Sequence, residues 1–127
     1  MKIELRRLRE IDLLQLTSIV NEDIANAAYL QWPFTKEVAT QFIKDYNTWG
    51  IWLNGTILVG AVEVKGTLET AYLVSKHYHN NGIATKAVQM CRDLFADSQL
   101  WCIVNPKNKA SIRVAQKAGL RIKFIGS

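Results

Sequence analysis

Residues 71–87 read AYLVSKHYHNNGIATKA. A run suited to a strand, Ala71 to Val74, enters a short polar loop, and a helix-patterned segment follows directly after Gly82. A strand that feeds a loop and then a helix N-terminus leaves several backbone N–H groups pointing at one spot. Those donors, together with the positive end of the helix dipole, make an anion site without any cationic side chain. Gly82 lets the backbone approach an anion closely, and Ala84 keeps the first helical turn small. The same spacing also suits an ordinary strand-to-helix turn that contains a glycine, so the neighbouring elements have to decide between the two.

Upstream, Ile3, Leu5 and Leu8 alternate with charges as in a strand. Leu13, Leu16, Val20, Ile24 and Ala27 then recur at the three-to-four spacing of one amphipathic helix over about residues 12–30. Pro33 interrupts the chain, and Thr35 suits the N-cap of a second helix bearing Val38, Phe42 and Tyr46. Asn54-Gly55, set between the apolar runs Ile51–Leu53 and Thr56–Val64, predicts a hairpin closed by a tight two-residue turn. Lys65-Gly66 turns the chain again into a third antiparallel strand, Leu68–Val74. Downstream, a helix from Gly82 to about Ala96 would bury Ile83, Ala87, Met90 or Cys91, Leu94 and Phe95. Leu100–Val104 reads as a buried strand parallel to the one before the helix. A last helix, about Lys109–Ala118, stops at Gly119, and Leu120–Ile125 forms a terminal strand. The expectation is an α/β fold in one domain, residues 1–127, with a mixed central sheet of about six strands and four helices.

Composition narrows the function. A chain that is 49% hydrophobic and 21% charged can bury an ordinary core, and no run of 18 apolar residues suggests a membrane span. Cys91 and Cys102 fall inside apolar patterns, as reduced core thiols of a cytoplasmic protein do. No metal is expected, because the two histidines and two cysteines lack ligand spacing. The net charge of +5 gathers late: Lys107, Lys109, Arg113, Lys117, Arg121 and Lys123 follow Asp97 with no carboxylate among them. That distribution suits a phosphorylated cofactor, a nucleic acid or an acidic protein surface, and equally a solvated helix face. Nucleic acid is not expected, because Trp101 and Phe124 sit in strand-like runs rather than among the cations.

The order of elements and two motifs resemble the GNAT superfamily of acyl-CoA-dependent N-acetyltransferases over essentially the whole chain. His79-Asn80-Asn81-Gly82-Ile83-Ala84 is similar to the family's Arg/Gln-x-x-Gly-x-Gly/Ala signature. The segment from Asn105 through Ser111 to Lys117-Ala118-Gly119-Leu120 is similar to the pattern of the subgroup related to ribosomal-protein N-terminal acetyltransferases. The resemblance implies acetyl-CoA as co-substrate. The backbone amides of Asn80, Asn81, Gly82, Ile83, Ala84 and Thr85 would then hold its pyrophosphate. The strand edge at Leu73, Val74 and Ser75 would pair with the pantetheine arm, in a splayed gap before Leu100–Val104. Asn108 would hydrogen-bond the cofactor, Ser111 would lie near the thioester sulfur, and Lys109 and Arg113 could meet the nucleotide phosphates.

Attack of a neutral amine on the thioester needs a base, an oxyanion donor and a proton for the leaving thiolate. The family points to the Val74 N–H for the oxyanion. For the base, Glu69 is the first choice, since it shares a strand face with Ala71 and Leu73, and Glu63 is the alternative. For the proton, Ala115 stands where many relatives carry a tyrosine, which leaves Ser111, Tyr72 or water. His79 replaces the usual Arg or Gln. The family's seventh strand is missing, so a sheet edge would be exposed and the acceptor pocket incomplete. A minimal domain, a truncated product, or a homodimer that covers the edge would each account for it. Two readings follow. One is an N-acetyltransferase acting on a protein N-terminus or a small-molecule amine. The other is a non-catalytic CoA-binding or interaction domain of the same fold.

Overall fold

In the computed structural model, which describes residues 2–45, 47–79 and 81–125, Asn54 and Gly55 both carry positive φ (51° and 82°). That backbone sense matches the twist of paired strands and folds β2 (Asn47–Leu53) back onto β3 (Ile57–Val64). The loop is one residue longer than expected. Leu53 pairs with Ile57, so Thr56 joins the turn, and the register slips once between Ile51 and Trp52. β1 (Ile3–Arg7) and β4 (Thr70–Val74) flank this hairpin, giving an antiparallel sheet ordered β1-β2-β3-β4. β5 (Trp101–Val104) and β6 (Arg121–Phe124) form a separate parallel pair. The edge of β5 is therefore covered by β6 itself.

Helices pack on both faces. The expected first helix is two short ones, α1 (Leu13–Ile19) and α2 (Glu22–Ala27). Val20 is extended between them, and Asn21 restarts the helix by accepting the Ile24 N–H on its Oδ1 at 2.8 Å. An asparagine inside an apolar periodicity competes with helical bonding in this way. α3 (Lys36–Asp45) follows, with Thr35 Oγ1 accepting the Val38 N–H at 3.2 Å as an N-cap; Tyr46 lies outside the described residues. Leu16, Ile24, Phe34, Phe42, Leu58, Ala61 and Leu73 build the core on this face.

The opposite core joins Ile51, Val62, Val74, Leu100 and Val104 to α4 (Ile83–Leu94) and α5 (Lys109–Ala118). α4 buries Ile83, Ala87, Val88 and Cys91. Leu94, expected inside, is 60% exposed, because the chain turns at Phe95, whose ring meets Trp49 edge-on at 5.7 Å. α5 ends as expected at Gly119 with φ 78°. Both cysteines are buried and free, and burial pushes the Cys91 thiol up to about 12. No helix among the described residues is long and apolar enough to cross a membrane.

Candidate active site

The site begins where the two sheets part. Trp101 ties β5 to the turn before β4. Its backbone N–H donates to the Leu68 carbonyl at 3.3 Å and its indole Nε1–H to the Thr67 carbonyl at 2.9 Å. Leu68, with φ 73°, closes the turn from Lys65 by donating its N–H to the Lys65 carbonyl at 2.8 Å, and β4 starts at Thr70 rather than Leu68. One bridge, Glu69 to Trp101, follows, and beyond it β4 and β5 belong to different sheets. The Lys65 N–H bonds the Glu69 carbonyl and the Ser75 N–H bonds the Val59 carbonyl. By the alternation of an antiparallel ladder, Thr70, Tyr72 and Val74 therefore turn their N–H and C=O groups away from β3, into the gap. Of the expected Leu73-Val74-Ser75 edge, only Val74 offers its backbone there.

α4 starts at the far end of that gap. Gly82 is its N-cap with φ 72°, and among the described residues no side chain caps the helix, whose first-turn N–H groups have no intrahelical acceptor. A Cβ on Gly82 would meet no atom of the described residues within 4 Å, its chain neighbours aside. The glycine is needed for its left-handed backbone, and the space beside it is open. Asn81 is exposed, Ala84 and Thr85 are half-buried and Ile83 is buried; Asn80 lies outside the described residues. His79 donates from Nε2 to the Val74 carbonyl at 2.8 Å, which ties the loop to the open end of β4. His79, Gly82, Ile83, Ala84 and Thr85 share one cavity of about 710 Å³ with Glu69, Tyr72 and Val74, a volume usual for a small-molecule site.

α5 supplies the opposite wall. Asn108 caps it by accepting the Ser111 N–H on Oδ1 at 3.1 Å, so its carbonyl oxygen serves the helix and its NH2 is left for a ligand. Tyr72 Oη donates to Ser111 Oγ at 3.1 Å, a bond that crosses from β4 to α5. Burial raises the Tyr72 phenol above its ordinary range, partly offset by that hydrogen bond. A second hollow of about 440 Å³, walled by Asn26, Tyr29, Asn105 and Lys107, adjoins the first, and Asn108 and Ser111 line both.

The two carboxylates named from sequence separate. Glu69 is on the cavity wall, its Oε2 3.4 Å from Lys65 Nζ. Glu63, across the ladder from Ala71, is only 5% exposed and does not line the cavity, and its Oε2 has no hydrogen-bond partner among the described residues. Desolvation raises its carboxyl above the usual range, with Lys65 pulling the other way and Glu69 adding to the rise. Of the late cations, Arg113 and Lys117 line the cavity and Lys109 does not. All three lie on one helical stripe of α5. Sequence reading missed Asp23, on α2, and Tyr29, in the turn after it, which also line the cavity. Their one signal was the polar break at Asn21.

The Acetyltransferase (GNAT) domain family matches residues 2–121, and the chain belongs to that family of N-acetyltransferases. Protein YkkB of Bacillus subtilis (strain 168), which is uncharacterized, is 35% identical over 63 residues, covering 46% of this chain and 37% of YkkB. The chain thus matches just over a third of that relative's length. Among solved structures, an acetyltransferase (GNAT family) from Bacillus anthracis superposes with TM-score 0.74 at 23% identity, covering 95% of this chain and 81% of the other. The PaiA N-acetyltransferase of Thermoplasma acidophilum, in complex with coenzyme A, gives TM-score 0.59 at 17% identity, covering 92% and 88%. At these identities the structures support the fold. It is the α/β GNAT fold with six strands, in which the broken first helix counts with α3, α4 and α5 as four.

Proposed function

We propose that the protein transfers an acetyl group from acetyl-CoA to a primary amine, either a protein N-terminus or a small molecule. One observation carries this: the open backbone edge of β4 runs, within a single cavity, into the uncapped N-terminus of α4. An amide-bearing arm suits the first and a pyrophosphate the second. Asn81, Gly82, Ile83, Ala84 and Thr85 would hold the phosphates, with Arg113 and Lys117 adding charge beside them, and the Asn108 NH2 would donate to the arm. The thioester supplies the activated acyl group. The Val74 N–H stabilises the charge developing on its oxygen, and Glu69 takes a proton from the attacking nitrogen, directly or through water. His79 keeps the Val74 peptide in place through the carbonyl it holds. The Asn108–Ser111 pattern favours a place near the ribosomal-protein N-terminal subgroup. The outer edge of β6, without a strand partner among the described residues, suits a homodimer.

Release of free thiol from acetyl-CoA, assayed against a panel of peptides and polyamines, tests the reading. Turnover on at least one amine is expected. Binding of acetyl-CoA with no turnover on any amine would favour the CoA-binding domain instead, a reading supported by Ala115, which brings no hydroxyl to the site, and by the Lys65 ammonium held on Glu69. Absence of binding would overturn both.

A further inference from the structure

We propose that Tyr72 and Ser111 form a hydroxyl relay that delivers the proton to the departing thiolate, with Ser111 next to the sulfur and Tyr72 as the proton source behind it. The inference rests on the acetyl-transfer reading above. Ser111 is one of six residues that line both hollows, with Ala27, Tyr29, Ile103, Val104 and Asn108, so it stands at their junction. If the acyl donor fills the larger hollow and the amine enters from the smaller, the scissile C–S bond lies at that junction. Ser111 is held there twice over: its N–H is bound by Asn108 Oδ1, and its Oγ accepts from Tyr72 Oη at 3.1 Å. An oxygen that accepts from Tyr72 has its own hydrogen available to donate elsewhere. Tyr29 lines both hollows and Tyr78 the larger one, but the Tyr72 hydroxyl is the one bonded to Ser111.

The step balances. The amine nitrogen forms a bond to the acyl carbon as the C–S bond breaks, and the bonding pair leaves on sulfur. Sulfur takes the Ser111 hydroxyl proton, Ser111 takes the Tyr72 proton, and the Tyr72 oxygen is left charged. The proton that the acylated nitrogen gives up returns through Glu69 or water to Tyr72. A serine hydroxyl alone is too weak an acid to end the step charged, so a phenol behind it supplies what Ala115 cannot. The site keeps that phenol protonated at neutral pH, since burial raises it and its titratable neighbour Cys102 acts in the same direction. Cys102 is itself raised, by burial and then by Glu69.

The test begins with wild-type turnover on the best amine of the panel and then measures Tyr72→Phe, which keeps the ring. The expected result is a kcat lowered between about 10- and 1,000-fold, with the Kd for acetyl-CoA within twofold of wild type. Ser111→Ala should fall similarly, and the double variant no further than the worse single one, because both remove one relay. A fluorinated tyrosine at position 72, whose phenol ionises at lower pH, should restore activity near neutrality and lose it as pH rises, at values where wild type does not. Three results would each overturn the relay alone: a Tyr72→Phe kcat within twofold of wild type, additive losses in the double variant, or a fluorotyrosine enzyme that keeps the wild-type pH profile. Lack of turnover by wild type would overturn the acetyl-transfer reading and the relay together.

Discussion

At the residue scale, the two carboxylates on the α1–α3 side of the sheet have separate lives. Glu69 reaches the cavity and is paired with Lys65 where both side chains are partly solvated, at 20% and 32% exposure. Such a pair contributes at most about 1 kcal/mol to stability. Glu69→Gln should therefore leave the melting temperature nearly unchanged, while steady-state kinetics show kcat/KM for the amine lowered about 10²- to 10⁴-fold; an unchanged kcat/KM would place the base elsewhere. Glu63 presents the opposite case. Its carboxyl is raised by burial, so as pH climbs past the ordinary 4.5 the unfolded chain releases its proton before the folded one does. The stability it contributes is full below that value and is lost on rising through the folded value. Glu63→Met removes the orphaned oxygen and should raise the midpoint of urea unfolding at pH 7 and flatten its decline above pH 4.5. A lowered midpoint at pH 7 would show that Glu63 has a partner that holds it charged.

At the element scale, the shape of β4 depends on how close β3 comes. A Cβ on Gly60 would run into the Leu73 carbonyl oxygen and the Val74 Cα, both backbone atoms that cannot step aside. Gly60→Ala should then push β4 outward at Val74, destabilising the fold by about 1–3 kcal/mol and weakening acetyl-CoA binding in the same variant. Loss of stability with unchanged affinity would separate the β4 edge from the binding site. This element-scale geometry marks how far the sequence could be read. Asn54-Gly55, Thr35 and Gly119 announced their turns and caps because each acts on backbone within a few residues of itself, whereas Asn108 reads as a cofactor contact and not as a cap. The loop from His79 to Thr85 was visible for the same reason. The bonds by which Trp101 ties β5 to Thr67 and Leu68 were not, since they arrive from a distant strand. Nor was the Tyr72–Ser111 bond, which joins residues 39 positions apart and has no local signature. Lys109, Arg113 and Lys117 could be grouped on one stripe, but which of them faces the cavity depends on where α5 lies.

At the scale of the whole molecule, one break in the sheet organises everything. β4 and β5 are pinned together by Trp101 and then separate, and the cavity between them gathers the open strand edge, the start of α4 and the first turn of α5. His79 links β4 to the loop before α4, and the Tyr72–Ser111 bond links β4 to α5. The central claim is that this gap and the α4 N-terminus together bind acetyl-CoA, and calorimetric titration of wild type beside Gly82→Val tests it most directly. Left-handed φ costs a branched residue about 1–2 kcal/mol, and the added side chain fills the space where the phosphates would lie. The account predicts saturable, one-site binding to wild type and an affinity at least tenfold weaker in Gly82→Val, with the variant still folded by circular dichroism. Equal affinity in the two proteins, or no binding to wild type, would contradict it.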